Sequence, residues 1–419
     1  MYRLIGGLKK VLEYSNQTYL KLSVQNASFL AAKTSADKRY MIVDINKSEN
    51  TANQSEQFKY PLIWLRDNCQ CSNCFHDQTK SRTIDWTQFD FKNAQPKSIS
   101  IDKQLQVTWN DDHVSTFESD WLYERNFTVE NRKNYLDNHY RPTPKLWSKD
   151  QFEMKEFNAA DVLKNDDALH DWLMTLTKYG VVMLKNAVLT EDQVRRVIDR
   201  VGFIRETHYG KEYAVRADPN ATNVAYTSNP LQLHTDLPYY DYTPGVTLLH
   251  CISQTKSAGA FNSLVDGFYV AEKLKKENPK AFECLSTTIV NWSDYGTQDD
   301  FRFEKIMRKP VICLDYEGNM IHINHSIPQR DTIFSIDVEK VDEWYHSLKA
   351  YVDLLYKESV YFKTEQGSIL AFSNTRLLHG RTGYEDKEGN VRHLVGGYLD
   401  WDEIYSRLRV LATDKRKKS

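Results

Sequence analysis

Two different patterns of hydrophobic and polar positions divide the chain. From about residue 39 to residue 128, short apolar segments alternate with polar turns and helical periodicity is weak. Alternation with a period of two predicts β-strands. The segments are YMIVDI, YPLIWLRD and KSISIDKQLQVTWNDDHVSTF. A small β-rich domain is therefore expected over residues 39–128.

The pattern changes near residue 150, where helices and strands are mixed. NAADVLKNDDALHDWLMTLTKYG, which ends at Gly180, and LTEDQVRRVIDRVG have the apolar spacing of helices. Short apolar runs typical of strands are GVVMLKN, GVTLLHCIS, IHINH and SILAF. We expect residues 150–419 to form a mainly β domain with flanking helices (α+β), built on a double-stranded β-helix, or jelly roll.

Two further segments flank the predicted domains. Residues 129–149 are polar and contain Pro142 and Pro144, which is typical of a linker. Residues 1–38 are treated as an N-terminal extension that is basic and poor in acids. Such a composition fits either a mitochondrial transit peptide or a simple extension. The scarcity of arginine favours the simple extension and a cytoplasmic location.

Composition excludes several classes of protein. The 419 residues suggest two or three domains, and a net charge of −2 offers no basic excess for nucleic acid. No apolar run reaches the length of a membrane span, and no glycine-rich phosphate-binding motif is present. Three of the six cysteines are crowded together, unlike the framework of a small secreted protein. A reducing compartment is expected.

The segment His234-Thr235-Asp236, followed far downstream by His379 in NTRLLHGR, carries the clearest chemistry. Two imidazoles and one carboxylate are the protein ligands of non-haem Fe(II) sites, which keep positions open for O₂ and an organic co-substrate. Both parts lie next to strand-like runs, so the fold can bring them together. The alternative is that these are ordinary hydrogen-bonded residues. The set predicts an oxygenase.

Arg392 follows His379 by thirteen positions. Its guanidinium is suited to bidentate binding of a carboxylate. The order His, Asp, His and Arg resembles that of Fe(II)/2-oxoglutarate-dependent dioxygenases, and this resemblance implies that Arg392 holds the co-substrate.

A second metal site is indicated by Cys69, Cys71 and Cys74. Three thiolates within six residues suit a compact tetrahedral ion, and Zn(II) with a histidine as fourth ligand is the natural choice. Spacing leaves both His76 and His113 as candidates, and reduced core cysteines are the alternative. Four protein ligands leave no open position, so the zinc is expected to be structural.

Longer blocks of sequence resemble a known family. WLRDNCQCSNC, NVAYTSNPLQLHTDLPYYDYTPGVTLLHC, VDGF, RDTIF, NTRLLHGR, RHLVGGY and DWDEIYSRLRVL are similar, in order, to the γ-butyrobetaine dioxygenase family. The resemblance runs from about residue 60 to residue 411. The related trimethyllysine dioxygenases share the His-x-Asp, VDGF, LHGR and cysteine-rich elements.

The resemblance implies ligands for two metals and a co-substrate. Fe(II) is ligated by His234, Asp236 and His379. Structural Zn(II) is ligated by Cys69, Cys71, Cys74 and His113. 2-Oxoglutarate is bound by Arg392, Asn223 and the region of Leu249. Ascorbate keeps the iron reduced.

The resemblance also implies an aromatic cage for a trimethylammonium group. Its members here are Tyr209, Tyr213, Tyr226 and Tyr398, and Asn324 lies near a substrate carboxylate. The family typically has tryptophan at the position of Tyr213, a better partner for a cation. A quaternary ammonium has no N–H to donate, so aromatic faces, shape and charge must bind it.

The activity implied by the resemblance is hydroxylation of γ-butyrobetaine at C3, which gives L-carnitine with succinate and CO₂. The first alternative is trimethyllysine hydroxylation, and a more distant one is a non-catalytic jelly-roll interaction protein. The expected partner is a small-molecule substrate, with neither nucleic acid nor membrane, and a homodimer is expected.

Overall fold

The computed structural model describes residues 27–47, 55–216, 228–298, 301–385 and 392–418. The chain divides into two compact units, Met1–Arg141 and Pro142–Ser419. The division falls inside the segment expected to be a linker. No helix within the described ranges combines the length and apolar character that crossing a bilayer requires.

The first unit contains two three-stranded antiparallel sheets and a two-stranded ribbon. Its strands are β1 (Ala27–Thr34), β2 (Tyr40–Lys47), β3 (Ser55–Pro61), β4 (Phe75–His76), β5 (Ser81–Arg82), β6 (Pro96–Ile101), β7 (Leu105–Trp109) and β8 (Val114–Phe117). Its α-helices are α1 (Leu62–Asp67), α2 (Ser119–Glu124) and α3 (Val129–Asn134), and a π-helical turn spans Tyr135–Tyr140. The β-rich character is as predicted, whereas residues 27–34 and 129–140 have regular structure that was not expected.

One core joins the two larger sheets of this unit. Met41, Val43 and Ile45 of β2 pack with Val107 and Trp109 of β7, and all five side chains are fully buried. These residues occupy alternate positions of their strands, which is the period of two seen in the sequence.

The prediction that YPLIWLRD is a strand was right for Tyr60 and Pro61, which end β3, and wrong from Leu62 onward. Leu62 and Leu65 are buried one helical turn apart within α1, whereas Ile63 between them is exposed. Pro61 precedes the first turn with an extended backbone, where a missing N–H costs no helical hydrogen bond. Residues three apart share the face of a helix, so tertiary packing selects the helix over the strand.

The second unit is built on two sheets. One sheet has seven strands and the other has four. Along the chain the strands pass between the two sheets. This arrangement confirms the predicted double-stranded β-helix with flanking helices.

The strands of the larger sheet are β9 (Glu156–Asn158), β10 (Val181–Lys185), β11 (Ile204–Arg205), β12 (Glu212–Val215), β14 (Val246–Ser253), β21 (Ile369–Ser373) and β23 (His393–Leu399). Those of the smaller sheet are β13 (Leu231–His234), β15 (Asn262–Asp266), β20 (Val360–Phe362) and β22 (Leu377–Arg381).

Three helices from the N-terminal part of the second unit cover the larger sheet. They are α4 (Ala159–Lys164), α5 (Asp166–Tyr179) and α6 (Gln193–Asp199). The single helix expected over 158–180 is two helices, because the Asn165 side chain accepts from the backbone N–H groups of Asp167 and Ala168 and starts α5. Gly180 ends α5 in the left-handed region, as predicted, with φ 78°.

A long insertion separates β15 from β20. It contains α7 (Gly267–Glu277), α8 (Pro279–Thr287), the hairpin β16 (Val290–Gln298) and β17 (Phe301–Lys309), the pair β18 (Ile312–Leu314) and β19 (Met320–Ile323), and α9 (Val341–Lys357). Ile404, Leu408 and Leu411 of α10 (Trp401–Lys418) are buried against the core that includes α5.

Candidate active site and metal centres

The two predicted histidine ligands face each other across the smaller sheet. His234 at the end of β13 pairs with His379 of β22. Side chains directly opposite in an antiparallel pair are close neighbours, and the two imidazole centroids lie 4.2 Å apart. Antiparallel pairing therefore joins residues that are distant in the chain.

Asp236 completes the cluster. Its Oδ1 lies 3.3 Å from His234 Nε2 and 3.5 Å from His379 Nε2. The three donor atoms all lie within 4.8 Å of one another. Oδ2 points elsewhere and accepts from Thr247 Oγ1 at 3.2 Å and from the Tyr398 hydroxyl at 3.3 Å. One carboxylate oxygen is thus held by the protein and the other is directed at the two imidazoles.

The protonation states of the side chains in this cluster are those that can bind a metal cation. His234 Nδ1 lies 2.8 Å from the Gln232 carbonyl oxygen, which only accepts, so Nδ1 donates and the Nε2 lone pair faces Asp236. Burial, together with the adjacent His234, lowers the pKa of His379 to about 3. Burial alone would raise the pKa of Asp236, but the His379 and His234 imidazoles outweigh it and lower the pKa to about 2. Neutral imidazoles and an ionised carboxylate are the forms that bind a metal.

Asn374, in the turn between β21 and β22, clamps the backbone of Asp236. Its Oδ1 accepts from Asp236 N–H at 2.7 Å, and its Nδ2 donates to the carbonyls of Asp236 and Pro244, both at 3.0 Å. The amide is completely buried. Leu237, the next residue, has φ 56°, a costly conformation for a residue with a Cβ. Sequence reasoning missed Asn374, although it lies five positions before His379 in NTRLLHGR.

Arg376 and Asp266, from the NTRLLHGR and VDGF motifs, form a buried bidentate ion pair. Nη2 contacts Oδ2 at 2.7 Å and Nε contacts Oδ1 at 3.1 Å. Asp266 also accepts from Phe268 N–H at the start of α7, and Arg376 donates to the Lys178 carbonyl. These motif residues therefore join the smaller sheet to its neighbours and do not touch the cluster.

A pocket opens onto the cluster, with both histidines and Asp236 in its wall. Arg392, Arg381 and Leu249 also line it. Burial and the neighbouring Arg381 lower the pKa of Arg392 to about 10, and its Nε has no hydrogen-bond partner among the described residues. Two adjacent guanidiniums in one buried wall favour an anionic ligand. Sequence reasoning missed Arg381, although it lies two positions after His379 and so on the same face of β22.

Three of the four predicted cage tyrosines line this pocket together. Ring centroids are 6.0 Å apart for Tyr209 and Tyr213 and 5.2 Å apart for Tyr213 and Tyr398. Tyr213 pairs with Gly396 of β23, where an added Cβ would lie 2.4 Å from the Tyr213 ring. The glycine in RHLVGGY therefore lets the ring lie against the strand.

Three other residues were predicted to bind ligands. Tyr226 and Asn223 lie outside the described residues. Asn324 is completely buried but does not line the pocket, and both polar atoms of its amide lack a partner within the described ranges.

In the first unit, the three cysteines converge on His113, which lies in the turn between β7 and β8. His113 Nε2 is 3.2 Å from Cys69 Sγ and 3.6 Å from the Sγ atoms of Cys71 and Cys74. A tetrahedral Zn²⁺ with bonds of about 2.3 Å to sulfur and 2.0 Å to nitrogen separates these atoms by roughly 3.5 Å. The donor set and its spacing therefore fit zinc.

His76, the other candidate ligand, does not belong to this cluster. The His76 side chain is exposed, and its Nδ1 lies 3.0 Å from Thr79 Oγ1. Arg66 Nη1 lies 3.8 Å from Cys74 Sγ, where it can offset thiolate charge. Burial raises the pKa of Cys69 to about 12, so a bound dication is needed to keep that sulfur ionised. Of the two histidine candidates, the structure brings His113 to the cysteines.

Comparison with known proteins covers both units. Residues 139–398 match the family model described as taurine catabolism dioxygenase TauD, TfdA family, and residues 37–123 match γ-butyrobetaine hydroxylase-like, N-terminal. The γ-butyrobetaine dioxygenase of Homo sapiens is 41% identical over 359 residues, which cover 85% of this chain and 92% of the relative.

Two further relatives are more distant. The γ-butyrobetaine dioxygenase of Pseudomonas sp. is 29% identical over 353 residues, which cover 83% of this chain and 89% of the relative. The trimethyllysine dioxygenase of Meyerozyma guilliermondii is 28% identical over 372 residues, which cover 84% and 90%.

Proposed function

The chain belongs to the taurine catabolism dioxygenase TauD, TfdA family, and we propose that it hydroxylates γ-butyrobetaine at C3 to give L-carnitine. One O₂ and one 2-oxoglutarate are consumed, and succinate and CO₂ are released. The observation that carries this proposal is a two-histidine, one-carboxylate cluster that opens into a pocket with a buried arginine and a wall of tyrosines.

His234, Asp236 and His379 are proposed to hold Fe(II). Their donor set and the 4.8 Å limit on their separations support this assignment. When bound, Fe(II) would activate O₂, which is the oxidant for C–H hydroxylation, and 2-oxoglutarate would supply two electrons as it is converted to succinate and CO₂. The protein then has to position both organic molecules and exclude water.

Arg392 is proposed to bind the distal carboxylate of 2-oxoglutarate. Its burial in the pocket wall and its lack of a described partner for Nε support this role. Leu249 supplies an apolar contact from the same wall. Asn223 is kept as a predicted ligand of the co-substrate.

The trimethylammonium end of the substrate is proposed to lie against Tyr209, Tyr213 and Tyr398, with Tyr226 as the predicted fourth ring. Cation–π attraction between an ammonium and an aromatic face is worth about 0.5–2 kcal/mol. Tyr398 also donates to Asp236 Oδ2, so the same side chain connects the cage to the metal cluster. Asn324 is kept as the predicted neighbour of the substrate carboxylate.

Zn(II) is proposed to bind the Cys69, Cys71, Cys74 and His113 cluster as a structural ion, since four protein ligands leave no open position. Use of ascorbate, a homodimeric state and a cytoplasmic location stay predictions.

Turnover with two substrates tests the proposed activity. Purified protein is supplied with Fe(II), 2-oxoglutarate, ascorbate and either γ-butyrobetaine or trimethyllysine, and products are identified by mass spectrometry. We expect carnitine and succinate in equal amounts from γ-butyrobetaine and little product from trimethyllysine. Efficient hydroxylation of trimethyllysine without carnitine formation would replace this proposal with the trimethyllysine activity.

A further inference from the structure

The hairpin β16–β17 brings a carboxylate behind the wall of tyrosines. The Asp294 carboxylate of β16 interacts with the Tyr239 hydroxyl, and this contact acts against the effect of burial on the Asp294 pKa. Tyr239 is only 3% exposed and lines the pocket that opens onto the histidine cluster. Asp294 is therefore one side chain removed from the pocket, although it lies about sixty positions along the chain from Tyr239.

Tyr239 connects Asp294 to the cage itself. It also interacts with the Tyr209 side chain, and its hydroxyl oxygen lies 3.5 Å from His208 Nε2. The rings of His208 and Tyr209 are in contact, with centroids 4.0 Å apart. The carboxylate thus lies behind a continuous aromatic wall that ends at the cage tyrosines.

Asp294 has no cationic partner among the residues that the structure describes. Lys305 is directly opposite in the antiparallel pairing, but its Nζ lies over the Tyr240 ring at 4.7 Å from the centroid and forms no ion pair with Asp294. Burial raises the pKa of Asp294, against hydrogen bonds from Tyr239 and from the Tyr295 backbone. A half-buried carboxylate without a cation is unfavourable, and a cationic ligand would reduce that cost.

A quaternary ammonium can use such a charge in only one way. It has no N–H and therefore cannot form a hydrogen-bonded salt bridge with the carboxylate. The carboxylate attracts it only by Coulomb interaction, which is stronger at short distance and in a medium of low dielectric constant. Aromatic side chains between the carboxylate and the ligand exclude water, so the attraction between the two charges is screened less. The arrangement Asp294–Tyr239–Tyr209 has these properties.

We propose that Asp294 is a specificity residue that selects a permanently cationic substrate by acting through Tyr239 on the trimethylammonium subsite. It acts through another side chain and is a positioning residue, not a catalytic one. The inference rests on the proposed function, because it assumes that a trimethylammonium group occupies the cage.

Charge and shape can be separated with a matched pair of ligands. γ-Butyrobetaine is compared with 5,5-dimethylhexanoate, in which carbon replaces the ammonium nitrogen, as a competitive inhibitor. Asp294→Asn removes the charge with little change in size, and Asp294→Glu retains it. Glu304→Gln, on the exposed face of the same hairpin, removes an equal charge away from the pocket and is the control. Thermal unfolding of each variant checks the fold.

We expect Asp294→Asn to raise KM for γ-butyrobetaine by about three- to tenfold, with kcat, KM for 2-oxoglutarate and Ki for 5,5-dimethylhexanoate nearly unchanged. Asp294→Glu should recover most of the loss, and Glu304→Gln should resemble the wild type. An unchanged KM for γ-butyrobetaine in Asp294→Asn, or equal weakening of the cationic and neutral ligands, would overturn the inference. Wild-type protein that forms no carnitine would instead overturn the proposed function, and the pair of variants would then be compared on trimethyllysine.

Discussion

The chain contains two predicted metal-ligand clusters, and they differ in how many ligands the protein supplies. The first unit brings together four donors from Cys69, Cys71, Cys74 and His113, which complete a tetrahedron. The second unit brings together three donors from a β-helix, and these face a pocket.

The residues around the two clusters also differ, and they too indicate a closed site in the first unit and an open site in the second. At the cysteine cluster, a short loop and one turn hold the ligands, and Arg66 is near a sulfur. At the histidine cluster, the backbone of Asp236 is clamped by Asn374, and Arg392 and the tyrosines surround open space. A metal with four protein ligands has no free position and can only hold chain segments together, whereas a metal with three protein ligands can also bind a substrate. The residues around each cluster match this difference.

Removal of one ligand from the three-donor cluster should have the largest effect. His234→Ala, Asp236→Ala and His379→Ala should each abolish hydroxylation, because two protein ligands do not hold Fe(II) in a facial arrangement. Carnitine formation and bound iron are measured together. Asp241→Asn, an exposed acid on the following loop, is the control and should retain activity. Full turnover by any of the three alanine variants would show that the replaced residue is not an Fe(II) ligand.

Loss of a ligand from the four-donor cluster should act on folding. His113→Ala should lower zinc content from about one ion per chain and destabilise the first unit by several kcal/mol, because binding of structural zinc is coupled to folding. Elemental analysis and thermal unfolding provide the measurements. His76→Ala is the matched control, and zinc loss there with retention in His113→Ala would reverse the choice of ligand.

The next largest effect is expected from loss of the proposed contact between Arg392 and 2-oxoglutarate. Arg392→Met should raise KM for 2-oxoglutarate by about 10- to 150-fold, which corresponds to the roughly 1.5–3 kcal/mol of a charged hydrogen bond. Iron content and KM for γ-butyrobetaine should change little. Steady-state kinetics with each substrate varied in turn provides the test, and an unchanged KM for 2-oxoglutarate would mean that another residue, such as Arg381, holds the carboxylate.

The Asp236 clamp should affect the metal without touching it. Asn374→Ala leaves the Asp236 N–H without its partner and should weaken Fe(II) binding by about 10- to 100-fold, as is typical for groups that orient metal ligands. Activity is titrated with Fe(II), and excess metal should restore most of it. A variant that binds iron normally would show that β-sheet pairing alone positions Asp236.

The smallest effect is expected in the cage. Tyr213→Leu should weaken γ-butyrobetaine binding by about 0.5–2 kcal/mol, and Tyr213→Trp should strengthen it slightly, because indole is the better cation partner. Calorimetric titration with 2-oxoglutarate present and oxygen excluded measures both. Equal affinities in the leucine and tryptophan variants would place the ammonium elsewhere.

Much of this could be predicted because the chemistry is carried by residue types in a fixed order. The His-x-Asp segment, the distant His379 and the cysteine cluster are recognisable without a structure, and strands such as β14 and β21 follow from apolar runs. Spacing alone could not decide whether His113 or His76 is the fourth ligand. The choice depends on which of these histidines the folded chain places next to the cysteines.

Other features depend on contacts that no local pattern encodes. The pairing of His234 with His379 is a matter of strand register. Asn374 looks like an ordinary turn residue, and its role appears only where its amide meets Asp236. Tertiary packing made YPLIWLRD a helix. The hairpin of Asp294 lies in a part of the insertion for which no strand was predicted.

X-ray absorption at the zinc and iron edges of one anaerobic sample tests the contrast between the clusters most directly. We predict zinc with three sulfurs at about 2.3 Å and one nitrogen at about 2.0 Å, and a zinc spectrum that does not change when 2-oxoglutarate is added. We predict iron with nitrogen and oxygen ligands only, and an iron spectrum that changes on the same addition. A zinc spectrum that responds to 2-oxoglutarate, or an iron spectrum that does not, would contradict it.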